Sequence, residues 1–197
     1  MNKKSNNYCT AAALFFTLFC SMQLLSQKQG RFLDVSIGLG ITAPMDESET
    51  GNEDFISTGF YAQGEYVMGL KTWFSLRPYA GLILTSDRNS SEYADAPNYE
   101  VTSNAFLLGG KARLVAPIPW VAPYVELGVG LSAGSFKTLT PFTTLDKKGV
   151  FVHIPVTLGV ALGPQNNVDL EFTYYFHPAL EQFSGAAAVG LTIPVNW

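Results

Sequence analysis

From residue 33 onward the chain alternates apolar and polar side chains with a period of two, and nearly all charges within the alternating stretches keep to one parity. In the first stretch Leu33, Val35, Ile37, Leu39 and Ile41 alternate with Asp34, Ser36, Gly38, Gly40 and Thr42. Successive side chains of an extended strand point to opposite faces, whereas an amphipathic helix repeats every 3.6 residues, so this order specifies strands. Seven further stretches follow, near 55–68, 73–85, 99–115, 124–132, 152–162, 169–176 and 189–197. Glu65, Arg77, Lys111, Arg113, Glu126, Asp169 and Glu171 join Asp34 on the polar parity, which they share with Gly81, Gly109, Gly128 and Gly159. One face is therefore apolar and almost without charge, and the other is small, polar and charged.

Those two faces need different surroundings. Charges interleaved with glycines fit the inside of a narrow barrel, and an uncharged apolar face fits lipid, where only a closed sheet leaves no backbone group unsatisfied. The connections alternate in length: long ones near 43–54, 86–98, 137–149 and 178–185, short ones near 69–72, 116–119 and 163–167. That alternation predicts an all-β fold, an eight-stranded antiparallel up-and-down transmembrane barrel, with both termini on the tight-turn side. A secreted lipocalin-like barrel is the remote alternative, and it would put the apolar parity inside and the charges outside. Pro78, Pro123, Pro155 and Pro194 fall within or near strands, where each removes a ladder hydrogen bond, so bulges or strand ends are expected there.

At the other end, Lys3 and Lys4 precede an apolar run over 11–19 that weakens toward Ser26. The run is shorter than the roughly 20 residues of a membrane-spanning helix and reads as a signal peptide, residues 1–26, cleaved from a barrel domain over 27–197. Both cysteines, Cys9 and Cys20, lie in the signal, so disulfide and thiol chemistry are excluded from the mature chain. Phe19 is too large for the residue before a lipidated Cys20. Losing Lys3 and Lys4 moves the formal charge from −4 to −6, which excludes nucleic acid as a general partner.

The last stretch sets Val189, Leu191, Ile193, Val195 and Trp197 against Gly190, Thr192, Pro194 and Asn196. This terminal aromatic row resembles the C-terminal assembly signal of outer-membrane barrel precursors, which makes Trp197 the candidate signal. Trp73, Trp120 and Trp197 all stand at strand ends on the tight-turn side, as in an interfacial belt, although Trp73 and Trp120 fall on the inward parity. The mature chain as a whole resembles the small outer-membrane β-barrel family, the eight-stranded group of porin-family and OmpA-like or OmpX-like barrels. The resemblance implies an integral outer-membrane protein of a Gram-negative-type envelope, a monomer surrounded by outer-membrane lipid, inserted by the barrel assembly machinery, structural or surface-interacting and without catalysis. The alternative is a narrow passive pore for ions or very small solutes. Cell-wall anchoring by a further domain is not expected, and no surface ligand can be named from the loops.

Within the predicted lumen, Asp34, Glu65, Arg77, Lys111, Arg113, Glu126, Asp169 and Glu171 all fall within about six residues of the tight-turn rim, roughly 15 Å of depth. Five acids facing three bases in so narrow a space are expected to pair, because an unpaired buried charge costs about 3–5 kcal/mol. A salt-bridged plug is the expected outcome, with a gated ion path through the same residues as the alternative. His153 faces inward and His177 opens the last long connection; no outward set of serine, histidine and carboxylate suggests catalysis. The first long loop carries Asp46, Glu47, Glu49, Glu53 and Asp54. Its beginning resembles a calcium loop, but Ser57 stands where a bidentate Glu is needed, so it reads as a solvated acidic loop able at most to attract divalent ions loosely. No cofactor and no metal site are predicted.

Overall fold

A computed structural model describes residues 30–44, 56–86, 100–139, 144–180 and 182–195. Eight strands, β1 (Gly30–Pro44), β2 (Ser57–Lys71), β3 (Phe74–Ser86), β4 (Glu100–Val115), β5 (Trp120–Leu139), β6 (Thr144–Gly163), β7 (Val168–Phe176) and β8 (Gln182–Pro194), form a closed barrel in chain order. β8 returns to pair with β1 from Phe32↔Pro194 to Pro44↔Gln182, and every neighbouring pair is antiparallel. The predicted eight-stranded meander is the fold observed. The signal segment and Trp197 lie outside the described residues.

The alternation holds in every strand apart from the first part of β6, where residues 146–150 are all exposed. Leu39, Leu127 and Leu158 are 62%, 60% and 62% exposed on the outer face, whereas Asp34 and Glu126, one parity away, are 1% and 0% exposed inside. Leaving so many branched side chains in water would forfeit about 25 cal/mol for each Å² of apolar surface, a cost that hydrocarbon removes. An inverted, lipocalin-like arrangement is incompatible with this parity.

Pro194 closes β8 as a strand end, as expected, whereas Pro78 and Pro155 bring neither a bulge nor a strand end. Pro78 faces outward opposite Gly110, and the β2–β3 ladder stops at Glu65↔Tyr79 and resumes in the same register at Met68↔Leu76. Pro155 faces inward opposite Tyr175, and the β5–β6 register is the same at Leu127↔Val156 and Gly130↔His153 on either side of it. Proline's fixed φ suits a strand, so each loses local bonding while the rest of the ladder holds the register. The register shift that does occur lies at Gly69/Lys71, beside the β2–β3 turn.

The predicted long connection over 137–149 is largely strand, and that over 178–185 is half strand. β5 and β6 stay paired as far as Leu139↔Thr144, and β4 follows β5 to Glu100↔Leu139, whereas β6–β7 pairing ends at Ile154↔Phe176. β4, β5 and β6 thus continue past the other strands on the long-loop side. The predicted connection over 178–185 shrinks to a turn in which the Leu180 N–H donates to the His177 carbonyl at 3.2 Å, and β8 is already paired at Gln182. Trp73 and Trp120 are exposed at the tight-turn end, 47% and 63%, despite their inward parity. Trp73 is in a turn and Trp120 has φ 70°, so the pleat does not govern either one.

Candidate functional site: the filled lumen

The predicted charges come together in one layer. β1 supplies Asp34, β2 Glu65, β3 Arg77, β4 Lys111 and Arg113, β5 Glu126, and β7 Asp169 and Glu171, all 7% exposed or less. Arg77 Nη1 lies 2.7 Å from Glu65 Oε2, 3.2 Å from Asp34 Oδ2 and 3.6 Å from Glu126 Oε1. Lys111 Nζ bridges Glu65 Oε1 at 2.5 Å and Glu126 Oε2 at 2.6 Å. Arg113 reaches Glu126 Oε1 through Nε at 2.5 Å and Asp169 Oδ2 through Nη1 at 2.7 Å. Glu126 therefore touches all three bases.

Glu171 is the exception. Among the described residues it makes no ion pair; Tyr124 Oη donates to its Oε2 at 3.2 Å, and Arg113 packs over the Tyr124 ring at 3.5 Å from the centroid. Asp34 gains a second donor, Thr192 Oγ1 at 3.1 Å, and Glu65 accepts from Gln63 Nε2 at 2.7 Å. The set stretches across the lumen from β1 to β7: Arg77–Glu65, Lys111–Glu126 and Arg113–Glu126 join neighbouring strands, and the other four ion pairs join strands two or three apart around the barrel.

Toward the long loops the filling becomes neutral. Lys111 Nζ lies 5.5 Å from the Tyr79 ring centroid, and the Tyr79 hydroxyl meets His153 Nε2. His153 Nδ1 and His177 Nε2 both bond Ser132 Oγ, at 2.7 and 2.8 Å. Tyr175 Oη donates to Gln63 Oε1 at 2.9 Å and also bonds Tyr61 Oη at 2.9 Å. Higher still, Thr138 Oγ1 donates to Gln182 Oε1 at 2.9 Å, Gln182 Nε2 donates to Ser103 Oγ at 2.6 Å, and Phe136 and Leu180 are buried alongside. Gly130 makes room for this packing: a Cβ there would strike the Tyr79 hydroxyl and His153 Nε2.

Sequence reading had Ser132 and His153 inward but did not connect them to each other or to His177, because contacts across a barrel depend on strand stagger rather than on spacing along the chain. Their arrangement suits packing rather than acyl transfer. The serine is fully buried, and the histidines' further partners are Tyr79 and the Tyr175 carbonyl instead of a carboxylate. Among the described residues no group of three or more His, Cys, Asp and Glu is arranged to hold a metal ion. Most of the acidic first loop, including Asp46, Glu47, Glu49, Glu53 and Asp54, lies outside the described residues.

The chain has structural counterparts of known identity. Neisserial surface protein A aligns with a TM-score of 0.54 at 15% identity, covering 85% of this chain and 98% of that one. The N-terminal β-barrel domain of Pseudomonas aeruginosa OprF aligns with a TM-score of 0.51 at 11% identity, covering 85% of this chain and 100% of that domain. The Ail protein of Yersinia pestis aligns at 15% identity with a TM-score of 0.47, over 83% of this chain and 98% of that one. No curated protein sequence matches. At such identities the first two likenesses speak to the fold alone. The sequence itself matches the family described as outer membrane protein beta-barrel domain over residues 11–185. The chain belongs to that family, and the outer membrane is its place.

Proposed function

We propose that the protein is a structural or surface-presenting component of the outer membrane whose barrel is closed by its own side chains, and that it neither catalyses a reaction nor passes solutes. The observation that carries this reading is the ion-pair layer in which Glu126 meets Arg77, Lys111 and Arg113. Opening a path at that level would break several of these contacts together, and an eight-stranded barrel has an interior only wide enough for side chains to fill. The buried Ser132, His153 and His177 hold one another and offer no approach to a substrate.

The same reading has the precursor exported by its N-terminal segment and inserted as a monomer by the assembly machinery through Trp197. What reaches the outside is then the long-loop end, where β4, β5 and β6 continue beyond their neighbours. Swelling of proteoliposomes in small sugars tests the closed lumen. Vesicles carrying the protein should swell no faster than protein-free ones, and rapid swelling would favour a passive pore instead.

A further inference from the structure

Outside the lumen layer, charge divides unevenly between the two ends of the barrel. Every Asp and Glu beyond that layer falls within or beside the four long connections of the sequence. At the tight-turn end, residues 30–32, 69–74, 116–121, 163–167 and 193–195 carry only two charges, Arg31 and Lys71, both basic and both exposed. Among the described residues neither has an acidic partner. They stand at neighbouring strand ends, because β1 and β2 pair through Gly30↔Gly69 and Arg31↔Met68.

By simple alternation only Arg31 belongs to the outer face, with Leu33 and Val35, whereas Lys71 has the inward parity of Glu65 and Val67. The register shift at Gly69/Lys71 changes this. Gly69↔Ser75 gives way to Lys71↔Phe74, and Phe74 in turn lies opposite Leu114 on the outer face. Directly opposed residues share a face, so the bulge re-aims Lys71 to the outer rim that Arg31 occupies. There Lys71 borders the mouth of the lumen on one side. On the other its Nζ lies over the Trp73 ring, 5.2 Å from the centroid, and that indole packs 5.8 Å from the Phe74 ring. Leu70 and Leu76 are exposed beside them. One sector of the rim, over β1 to β3, thus combines two cations, an exposed indole and apolar side chains. Trp120, exposed elsewhere on the same rim, has no charge in its turn over 116–121.

We infer that this sector of the periplasm-facing rim binds the headgroup of an anionic phospholipid. Indoles settle at headgroup depth, and basic residues at the membrane surface attract anionic lipid by about fivefold each. The lipid phosphate would accept from the Arg31 guanidinium and the Lys71 ammonium, while the acyl chains run along Leu33, Leu70 and Leu76. A zwitterionic lipid brings its own ammonium to the same place, where no acid among the described residues meets it. The site therefore selects lipids by net negative charge. It lies on the outer face, so it stands or falls independently of whether the lumen conducts.

The test is quenching of tryptophan fluorescence in the folded protein, reconstituted in phosphatidylcholine vesicles that contain a fixed fraction of either brominated phosphatidylglycerol or brominated phosphatidylcholine. The anionic lipid should associate at least about fivefold more strongly than the zwitterionic one. Arg31→Gln and Lys71→Gln change exposed side chains and leave the lumen layer intact, and each should reduce that preference about fivefold or abolish it. The extra quenching by phosphatidylglycerol should vanish in Trp73→Phe, which removes the reporter beside the site. Lys148→Gln, at the opposite end of the barrel, should leave the preference unchanged. Equal quenching by the two lipids would overturn the inference, as would a preference that survives both Arg31→Gln and Lys71→Gln. Extra quenching that persists in Trp73→Phe, or a preference lost in Lys148→Gln, would place the lipid elsewhere and overturn it as well.

Discussion

Lys111 stands opposite Gly128 in the β4–β5 register, and its Cγ lies 2.9 Å from where a Cβ on Gly128 would be. The lysine stem crosses the glycine on its way to Glu126, one step along the same inward face, where Nζ and Oε2 are 2.6 Å apart. Residues 126, 127 and 128 thus meet an ion pair, lipid and close packing in succession, and a substitution at each should fail in its own way.

At Gly128 the constraint is space. A Cβ would also run into the Gly110 carbonyl, which is backbone and cannot swing aside. Gly128→Ala should lower the stability of the refolded barrel by about 1–3 kcal/mol, as overpacking of a filled interior does, and urea titration in micelles would register it.

At Glu126 the constraint is charge. Glu126→Gln leaves Lys111 with Glu65 alone and takes an anion from both arginines. The expected loss is about 3–5 kcal/mol, the cost of stranding buried charge. Glu171→Gln, at an acid with no ion pair among the described residues, should cost much less in the same titration.

At Leu127, 60% exposed on the outer face, the constraint is lipid. Leu127→Arg should destabilise insertion into bilayers by about 2–4 kcal/mol, the cost of a cation near the mid-plane. A variant as stable as the parent protein would contradict the assignment of this face.

Deleting Trp197, or replacing it with Asp, should reduce folded protein in the outer membrane while export continues. Fractionation of the envelope after expression would show it, with the chain accumulating before insertion.

The fold was legible because lipid outside and side chains inside impose opposite demands on alternate residues, and a period of two survives even where the turn chemistry is ambiguous. Asp34 and Glu65, or Arg113 and Glu126, could be placed at similar depth merely by counting from the tight turns, and they are in fact register partners. Other features depend on three-dimensional stagger. Lys137 and the pair Lys147 and Lys148 before Gly149 read as loop, yet Phe136↔Lys147 and Lys137↔Asp146 are paired strand residues. Strands that leave the membrane no longer need an apolar face, so their pattern fades while the ladder continues. The meeting of Ser132 with both His153 and His177, and the absence of an ion pair at Glu171 among the described residues, likewise follow from which side chains project across the lumen at one level.

Unitary current through the purified protein in a planar lipid bilayer is the most direct measurement of whether the Glu126-centred layer closes the lumen. The closed barrel predicts little or no steady current from the wild type, and for Glu126→Gln a loss of stability that exceeds any gain in conductance. Large, steady wild-type currents would contradict it, and a change of ion preference in Lys111→Glu would then place the conducting path through this same layer.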